Sequence, residues 1–184
     1  MDGKTCVIDG EPVALRLATR MEDTLQAFAV RAACFIGEQD VPFSEEFDGH
    51  DHDATHLIAY LGDEPIGTVR LRWFKSFAMP AHLAVIRRFR GHGVGSLLLE
   101  QARAIAESRG SRLLYVRTTP LWAGYFERLG WRRLDETPGA NATAALVCPT
   151  DSAQAGIALD ADADDLSAQY ANDTIITSPV APPR

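Results

Sequence analysis

Residues 90–96 read Arg90-Gly91-His92-Gly93-Val94-Gly95-Ser96, and they lie between a short apolar segment and an amphipathic one. Alternating glycines let backbone N–H groups approach a ligand closely, and the N-terminus of a following helix adds positive partial charge. Arg87 and Arg88 add charge nearby. The spacing is neither a Walker loop nor a G-x-G-x-x-G dinucleotide fingerprint. It predicts a pyrophosphate site; the alternative is a tight turn that only starts a helix, for which three glycines would be costly.

Hydrophobic periodicity places this stretch inside a larger α/β pattern. A helix is predicted to follow an N-cap at Thr19 and to end at Gly37, and one short helical turn is predicted after Pro42 in the acidic loop of residues 40–53. The other helices are predicted at 94–108 and 120–129, and the strands at 13–18, 55–61, 66–74, 81–86, 112–116, 131–134 and 142–147. This order predicts an α/β (α+β) fold, a mixed sheet with helices on both faces.

The chain length and composition predict one domain with a tail. The 184 residues are 46% apolar, enough for a packed core. From residue 149 onward the composition shifts to Ala, Asp, Ser and Pro, which predicts a domain over 1–148 and a disordered or loosely docked tail over 149–184. No apolar run is long enough for a membrane span, and the N-terminus lacks a secretory signal. Three widely spaced cysteines offer no disulfide framework, so we expect a reducing, cytoplasmic location.

Charge is distributed unevenly along the chain. The net charge is −7, and residues 151–184 contribute six aspartates against one arginine. Residues 34–64 contain nine acids and no Lys or Arg, whereas residues 87–133 contain ten arginines and three acids. Such a division predicts an anionic ligand on one side and a cationic one on the other; a solvated surface with accidental clustering is the alternative. The acidic total, and basic residues without interleaved aromatics, argue against nucleic-acid binding.

Three motifs in order resemble the GNAT (Gcn5-related N-acetyltransferase) superfamily. Residues 83–99 contain Arg90, Gly93 and Gly95 in the pattern R/Q-x-x-G-x-G/A, and residues 125–131 are similar to F-Y-x-x-x-G-F. Upstream, an R-x-x-C-F-x-x-E-Q-x-V-P segment beginning at Arg31 resembles one bacterial branch. The resemblance covers residues 13–147. It implies a mostly antiparallel GNAT-type sheet and an acetyl-CoA-dependent N-acetyltransferase without a metal.

The resemblance also implies roles for individual residues. The strand around Leu83, Ala84 and Val85 is expected to pair with the pantetheine arm, and an amide near Val85 to stabilise the oxyanion. The remaining residues expected to bind the cofactor are Arg90, Gly91, His92, Gly93, Val94, Gly95, Ser96 and Phe126. The implied partners are acetyl-CoA and an amine acceptor, with no membrane, and the chain is expected to be a monomer or homodimer.

The catalytic positions depart from the usual family pattern. Phe126 stands where relatives often carry a tyrosine acid, and Tyr125, one place earlier, would point about 100° away on a helix and is a weak substitute. Ala81 stands where a possible glutamate base is found. His82 could replace that base, because imidazole titrates near neutral pH; otherwise it is a hydrogen-bonded strand histidine.

The acidic loop supplies the candidate acceptor-binding groups: Glu38, Glu46, Asp48 and Asp51. With no cation inside the segment, we expect a negative potential that favours cationic small molecules or peptides as acceptors. A solvated acidic loop is the alternative. His50, His52 and His56 match no familiar zinc spacing, so no metal is predicted. A non-catalytic acyl-CoA sensor, or an acyltransferase with another donor or an O- or S-acceptor, also remains open.

Overall fold

An eight-stranded sheet runs through the part of the chain that the computed structural model describes, residues 5–134 and 144–150. Its spatial order is β1-β2-β3-β4-β5-β6-β8-β7. Neighbouring strands are antiparallel except β5 and β6, which are parallel. The strands are Val7–Ile8 (β1), Glu11–Leu17 (β2), Thr55–Leu61 (β3), Glu64–Trp73 (β4), Phe77–Val85 (β5), Leu113–Thr118 (β6), Arg132–Arg133 (β7) and Ala144–Pro149 (β8).

Helices cover both faces of this sheet, which confirms the predicted fold class. The helices are Met21–Arg31 (α1), Gly37–Gln39 (α2), Phe43–Glu46 (α3), Val94–Ser108 (α4) and Pro120–Arg128 (α5). Successive side chains of a strand point to opposite faces. Accordingly Ile58 of β3 packs with Ala27 of α1, whereas Leu57 packs in the cluster that contains Leu98 of α4.

The α4 helix shows why its sequence folds as predicted. Val94, Leu98 and Ala102 recur every four residues, so they share one face, and each is at most 1% exposed. Gly110 follows with φ +78°, the left-handed conformation that commonly ends a helix. The predicted bounds, 94–108, are confirmed.

The first helix departs from its predicted ends. Thr19 does not cap it; instead the carboxylate of Asp23 accepts hydrogen bonds from the backbone N–H groups of Thr19 and Arg20. Gly37 does not end the helical segment either, because a π-helical turn over Ala32–Ile36 leads directly into α2. Asp40 ends it with φ +55°, a conformation that aspartate tolerates better than most residues.

Most strand boundaries differ from the prediction by one to four residues, and β1 was not predicted; β5 and β8 matter most for the site and for the domain boundary. β5 begins at Phe77 rather than at residue 81, and Pro80 lies inside it opposite Leu71. At the other end of the described chain, Pro149 is the last residue of β8 and Thr150 is buried. The folded domain therefore reaches at least residue 150, two residues beyond the predicted boundary, and the predicted tail from 151 onward lies outside the described residues.

Candidate functional site

The glycine-rich stretch forms an open cradle, residues 91–96, at the N-terminus of α4. Gly91 and Gly93 take φ values of +84° and +87°, which glycine adopts without strain. Gly93 is the N-cap of α4 and supplies no side-chain cap, so the first amide N–H groups of the helix remain available. Residues 91–93 are exposed. An anion placed here would accept these hydrogen bonds and face the positive end of the helix dipole.

Beside the cradle, β5 and β6 separate to leave a gap that we call the wedge, between residues 79–85 and 115–118. In the described part of the chain the two strands pair only at Phe77 with Leu113 and Ala78 with Leu114. Beyond that point β5 continues along β4 and β6 continues along β8. The residues expected to meet a pantetheine arm, 83–85, therefore line the wedge. An extended amide-containing arm could pair there much as a peptide adds to a sheet edge.

The hydroxyl of Tyr125 lies where the wedge meets the cradle. Its oxygen is 3.3 Å from Oγ of Ser96. A Cβ added to Gly95 would lie 3.0 Å from that hydroxyl and 3.9 Å from the side chain of Leu83. Gly95 is therefore required for close packing against this hydroxyl. Burial raises the pKa of the Tyr125 phenol above its usual value, so this group holds its proton at neutral pH.

Phe126 has a different environment from Tyr125. It is 0% exposed and packs against Trp131, with ring centroids 5.2 Å apart. The contact with a cofactor that the resemblance implies for Phe126 remains a prediction. The structure places the neighbouring Tyr125, rather than Phe126, beside the cradle.

Arg90 is engaged with protein groups on the flank of the cradle. Its Nε donates to the backbone oxygen of Val85 at 2.7 Å. Its two Nη atoms lie 3.0 and 2.9 Å from the two carboxylate oxygens of Glu38. The guanidinium therefore connects α2, the end of β5 and the start of the cradle, so its positive charge is shared with a carboxylate.

His82 occupies a bulge in β5. The register with β4 shifts between Thr68 and Arg70, and His82 takes φ +48°, a strained value for a residue other than glycine. The residue is 4% exposed and its Nε2 is 3.5 Å from Oε2 of Glu46. Its Nδ1 is buried without a hydrogen-bond partner among the described residues.

The electrostatic environment keeps His82 neutral. Burial, followed by the charges of Arg70 and Arg31, lowers the pKa of His82 well below 6.5, while Asp48 acts in the opposite direction. Phe35 covers the ring edge to face, with centroids 5.6 Å apart. Ala81, at the position of the missing glutamate, is buried and supplies no ionisable group.

Three of the four acids predicted to bind an acceptor, Glu46, Asp48 and Asp51, form a largely buried ion network instead of an open negative surface. Arg31 donates through Nε to Glu46 at 2.6 Å and also pairs with Asp51. Arg70 lies 2.7 Å from Asp48 and 3.1 Å from Asp51. Both arginines are 0% exposed. The premise that this segment meets no neutralising cation is therefore wrong, because α1 and β4 bring the cations to it.

Sequence reasoning did not assign a role to either of these arginines. The sequence did contain one indication of a buried arginine. Thr68 and Arg70 are two residues apart on β4, so their side chains point to the same face of the sheet, and both are 0% exposed. An arginine on a buried strand face must find carboxylates. Burial also raises the pKa of Glu46, with the charge of Arg31 opposing that effect.

The histidines of the acidic segment separate in the fold. His56 is 3% exposed, and its Nε2 lies 3.2 Å from the backbone oxygen of Asp51. His52 is exposed and pairs with Asp53. Within residues 5–134 and 144–150 there is no group of three or more His, Cys, Asp or Glu side chains that could hold a metal. No helix in those ranges is long and apolar enough to cross a membrane.

Similarity to known proteins agrees with this geometry. Residues 52–133 match the acetyltransferase (GNAT) domain model. The chain is 30% identical over 121 residues to a Bacillus subtilis (strain 168) protein that carries a provisional acetyltransferase name, covering 64% of this chain and 82% of that one. The chain belongs to the GNAT acetyltransferase family.

Solved structures show the same fold. A provisionally named N-acetyltransferase from Lactobacillus plantarum aligns with a TM-score of 0.69 at 23% identity, over 76% of this chain and 99% of that one. The catalytic domain of Tetrahymena GCN5 histone acetyltransferase, in complex with coenzyme A, aligns with a TM-score of 0.58 at 15% identity, over 76% and 94%.

Proposed function

We propose that this chain is an acetyl-CoA-dependent N-acetyltransferase that moves an acetyl group to a primary amine by direct attack on the thioester. The observation that carries this proposal is that an uncapped helix N-terminus with a glycine cradle adjoins the wedge, where the described residues of β5 and β6 do not pair with each other beyond Ala78 and Leu114. The cradle residues would hold the pyrophosphate, and residues 83–85 would pair with the pantetheine arm. This arrangement would direct the thioester toward the wedge, beside the Tyr125 hydroxyl.

The reaction requires one bond to form and one to break. The amine nitrogen bonds to the thioester carbonyl carbon, the carbon–sulfur bond breaks, and CoA leaves as a thiolate. An alkyl ammonium has a pKa near 10.4, so the attacking nitrogen must lose a proton. A backbone N–H near Val85 would stabilise the oxyanion of the tetrahedral intermediate.

Two side chains are proposed for the proton transfers. His82 would accept the amine proton, because burial keeps its imidazole neutral. Its small exposed fraction means that the groups covering the ring must move slightly for an amine to reach it. Tyr125 would protonate the leaving thiolate, since its hydroxyl faces the cradle and keeps its proton. A CoA thiolate leaves readily, so the tyrosine's contribution is expected to be small.

We propose a cationic small molecule or a peptide as the amine acceptor, in a cytoplasmic setting. With Glu46, Asp48 and Asp51 paired to arginines, the charge available to attract a cation comes from the exposed acids of the segment, which include Asp40 and Glu45. The preference for cations is therefore expected to be weaker than the count of acids in this segment suggests.

The buried Phe126 and the alanine at position 81 favour one alternative, a non-catalytic acyl-CoA sensor. Calorimetric binding of acetyl-CoA, run beside release of free CoA across a panel of cationic amines and peptides, separates the two. Binding with amine-dependent release supports the transferase, and binding without release supports the sensor. Release with hydroxyl or thiol acceptors, or only with longer acyl-CoAs, would replace the proposed acceptor or donor. Absence of binding would refute both.

A further inference from the structure

An ion pair beside the cradle gives Glu38 a role apart from acceptor binding. We propose that Glu38 is a positioning residue for the cofactor cradle, acting through Arg90. This inference rests on the proposed function, because it takes the cradle to be the site that binds the phosphates of acetyl-CoA. It replaces the expectation that Glu38 binds the acceptor.

The contact between the two side chains is two-pronged. Nη2 of Arg90 is 3.0 Å from Oε1 of Glu38, and Nη1 is 2.9 Å from Oε2. The side chains are 24% and 23% exposed, so water screens the pair only in part. Such paired contacts fix the plane of a guanidinium as well as its position. Both carboxylate oxygens are used, which leaves Glu38 poorly placed to hold an ammonium group.

The third contact of Arg90 reaches the wedge. Nε donates to the backbone oxygen of Val85, the last residue of β5, at 2.7 Å. Arg90 itself directly precedes Gly91, where the positive-φ cradle begins. The guanidinium therefore closes the segment of residues 85–90, which includes the 3₁₀ turn Arg87–Phe89. The Arg90 side chain thus fixes the position of the cradle relative to β5, the strand expected to hold the pantetheine arm.

A carboxylate is needed to hold the Arg90 guanidinium in this position. Arg90 has rotatable bonds along its whole side chain, and ordering them costs conformational entropy. Glu38 lies in α2, which follows the π-helical turn directly and continues the helical segment beyond Gly37. Cys34, one turn earlier, is close enough to interact with Arg90 and Glu38, and burial raises its pKa to about 11, so it stays an uncharged neighbour. A cradle ordered before binding loses less entropy when the cofactor binds.

A double-mutant cycle tests the inference in the full chain. Acetyl-CoA affinity is measured by calorimetry for wild type, Glu38→Gln, Arg90→Gln and the double variant. We expect Glu38→Gln to raise the Kd about fivefold in the wild-type background and by less than about twofold in the Arg90→Gln background, because the first effect passes through Arg90. The acceptor Michaelis constant should stay within about twofold, since Glu38 does not contact the acceptor.

Glu64→Gln is the matched control. Glu64 of β4 pairs with Arg88, which lies two residues before Arg90, but those side chains are 49% and 64% exposed. Removal of the Glu64 carboxylate should therefore leave the Kd unchanged. Thermal unfolding of every variant shows whether a loss of affinity is only a loss of folded protein.

Several results would overturn the inference: an unchanged Kd for Glu38→Gln, equal effects in both backgrounds, or a rise confined to the acceptor Michaelis constant. Tighter binding by Glu38→Gln would also overturn it, because Arg90 would then be a phosphate ligand that Glu38 restrains. If wild type itself does not bind acetyl-CoA, the proposed function fails and this inference fails with it.

Discussion

At the scale of single residues, Gly93 carries two requirements at once. Its φ of +87° disfavours any side chain, and as N-cap of α4 it lies against the amides proposed to bind phosphate. Gly93→Asp should abolish acetyl-CoA binding measured by calorimetry, because it adds a negative charge where the pyrophosphate would lie. Gly110→Asp, at φ +78° beyond the far end of α4, adds a comparable backbone strain away from the cradle and should bind normally. Unchanged affinity in Gly93→Asp would place the cofactor elsewhere.

Gly95 is constrained by packing instead of by its backbone angle. Because an added Cβ would lie 3.0 Å from the Tyr125 hydroxyl, Gly95→Asp must displace that side chain in addition to placing a charge at the cradle. It should also abolish acetyl-CoA binding. Gly95→Ala in a Tyr125→Phe background removes the contact without adding charge and is expected to retain binding. Loss of binding in that double variant would show that backbone approach itself needs glycine at this position.

His82 gives a catalytic prediction at the same scale. If it is the base, His82→Ala should lower kcat by about 10² to 10⁴, with acetyl-CoA affinity unchanged. Because its pKa is well below 6.5, wild-type turnover should stay level as pH falls through 6.5 and decline only when the imidazole becomes protonated. His52→Ala, at an exposed position, is the control. A fall in kcat of less than about threefold would transfer the role to water or another side chain.

At the scale of elements, the ion network joins α1, α3 and β4 through groups that are costly to leave unpaired. Asp51 contacts both Arg31 and Arg70, so Asp51→Asn should lower the free energy of unfolding by about 3 kcal/mol. Asp53→Asn is the matched control, because Asp53 is 83% exposed and pairs with His52. Urea unfolding measures both. A Asp51→Asn variant of normal stability but with a raised acceptor Michaelis constant would restore the acceptor-binding role.

The buried histidines of this network make stability depend on pH. Burial lowers the pKa of both His56 and His82, so below about pH 6.5 the unfolded chain binds protons that the folded chain does not. The free energy of unfolding should therefore fall as pH drops below that value. Glu46, whose pKa is raised, contributes stability that is present at low pH and lost as pH rises, so it offsets part of this fall.

Unfolding midpoints measured from about pH 7.5 to 5.5 test this dependence. His56→Gln should flatten the pH profile, whereas His52→Gln should leave it unchanged. Arg31, Arg70, Asp48 and Asp51 are the charged groups that act on the two histidines. A His56→Gln profile as steep as that of wild type would show that His56 does not contribute.

Elements could be predicted from sequence wherever local patterns decide them. The spacing of apolar residues sets α4, and a short, mostly apolar run before the turn at Gly62 sets β3, so both have their predicted bounds. The π-helical turn, the bulge at His82 and the Arg31 and Arg70 pairs depend on contacts between distant segments. Arg70 lies 22 residues from Asp48 in the chain, and no local signal links them. The glycine cradle could therefore be predicted from the sequence, but the arginines that pair with Glu46 and Asp48 could not.

At the scale of the whole molecule, the placement of charge differs from its order along the chain. The acidic segment and the arginines look segregated in sequence, yet Glu38, Glu46, Asp48 and Asp51 are all joined to arginines from other elements. Folding thus removes much of the expected negative field on the acceptor side. If exposed acids still attract the acceptor, Asp40→Asn with Glu45→Gln should raise the Michaelis constant of a cationic amine at low salt, and less at about 0.15 M salt. An unchanged constant would show that charge does not select the acceptor.

The end of the folded domain gives the last prediction. Thr150 is 4% exposed and makes three hydrogen bonds. Its backbone N–H donates to the backbone oxygen of Arg112, and its hydroxyl donates to the backbone oxygen of Ser111. Its backbone oxygen accepts a hydrogen bond from Nε of Arg103. A chain ending at residue 150 keeps these contacts and should unfold at the same urea concentration as the full chain. A chain ending at residue 149 loses them and should be less stable by about 1 to 3 kcal/mol. Both should retain acetyl-CoA affinity, because Thr150 lies beside the start of β6 and the wedge lies beyond Ala78 and Leu114. An insoluble chain ending at residue 150 would instead show that residues 151–184 complete the core.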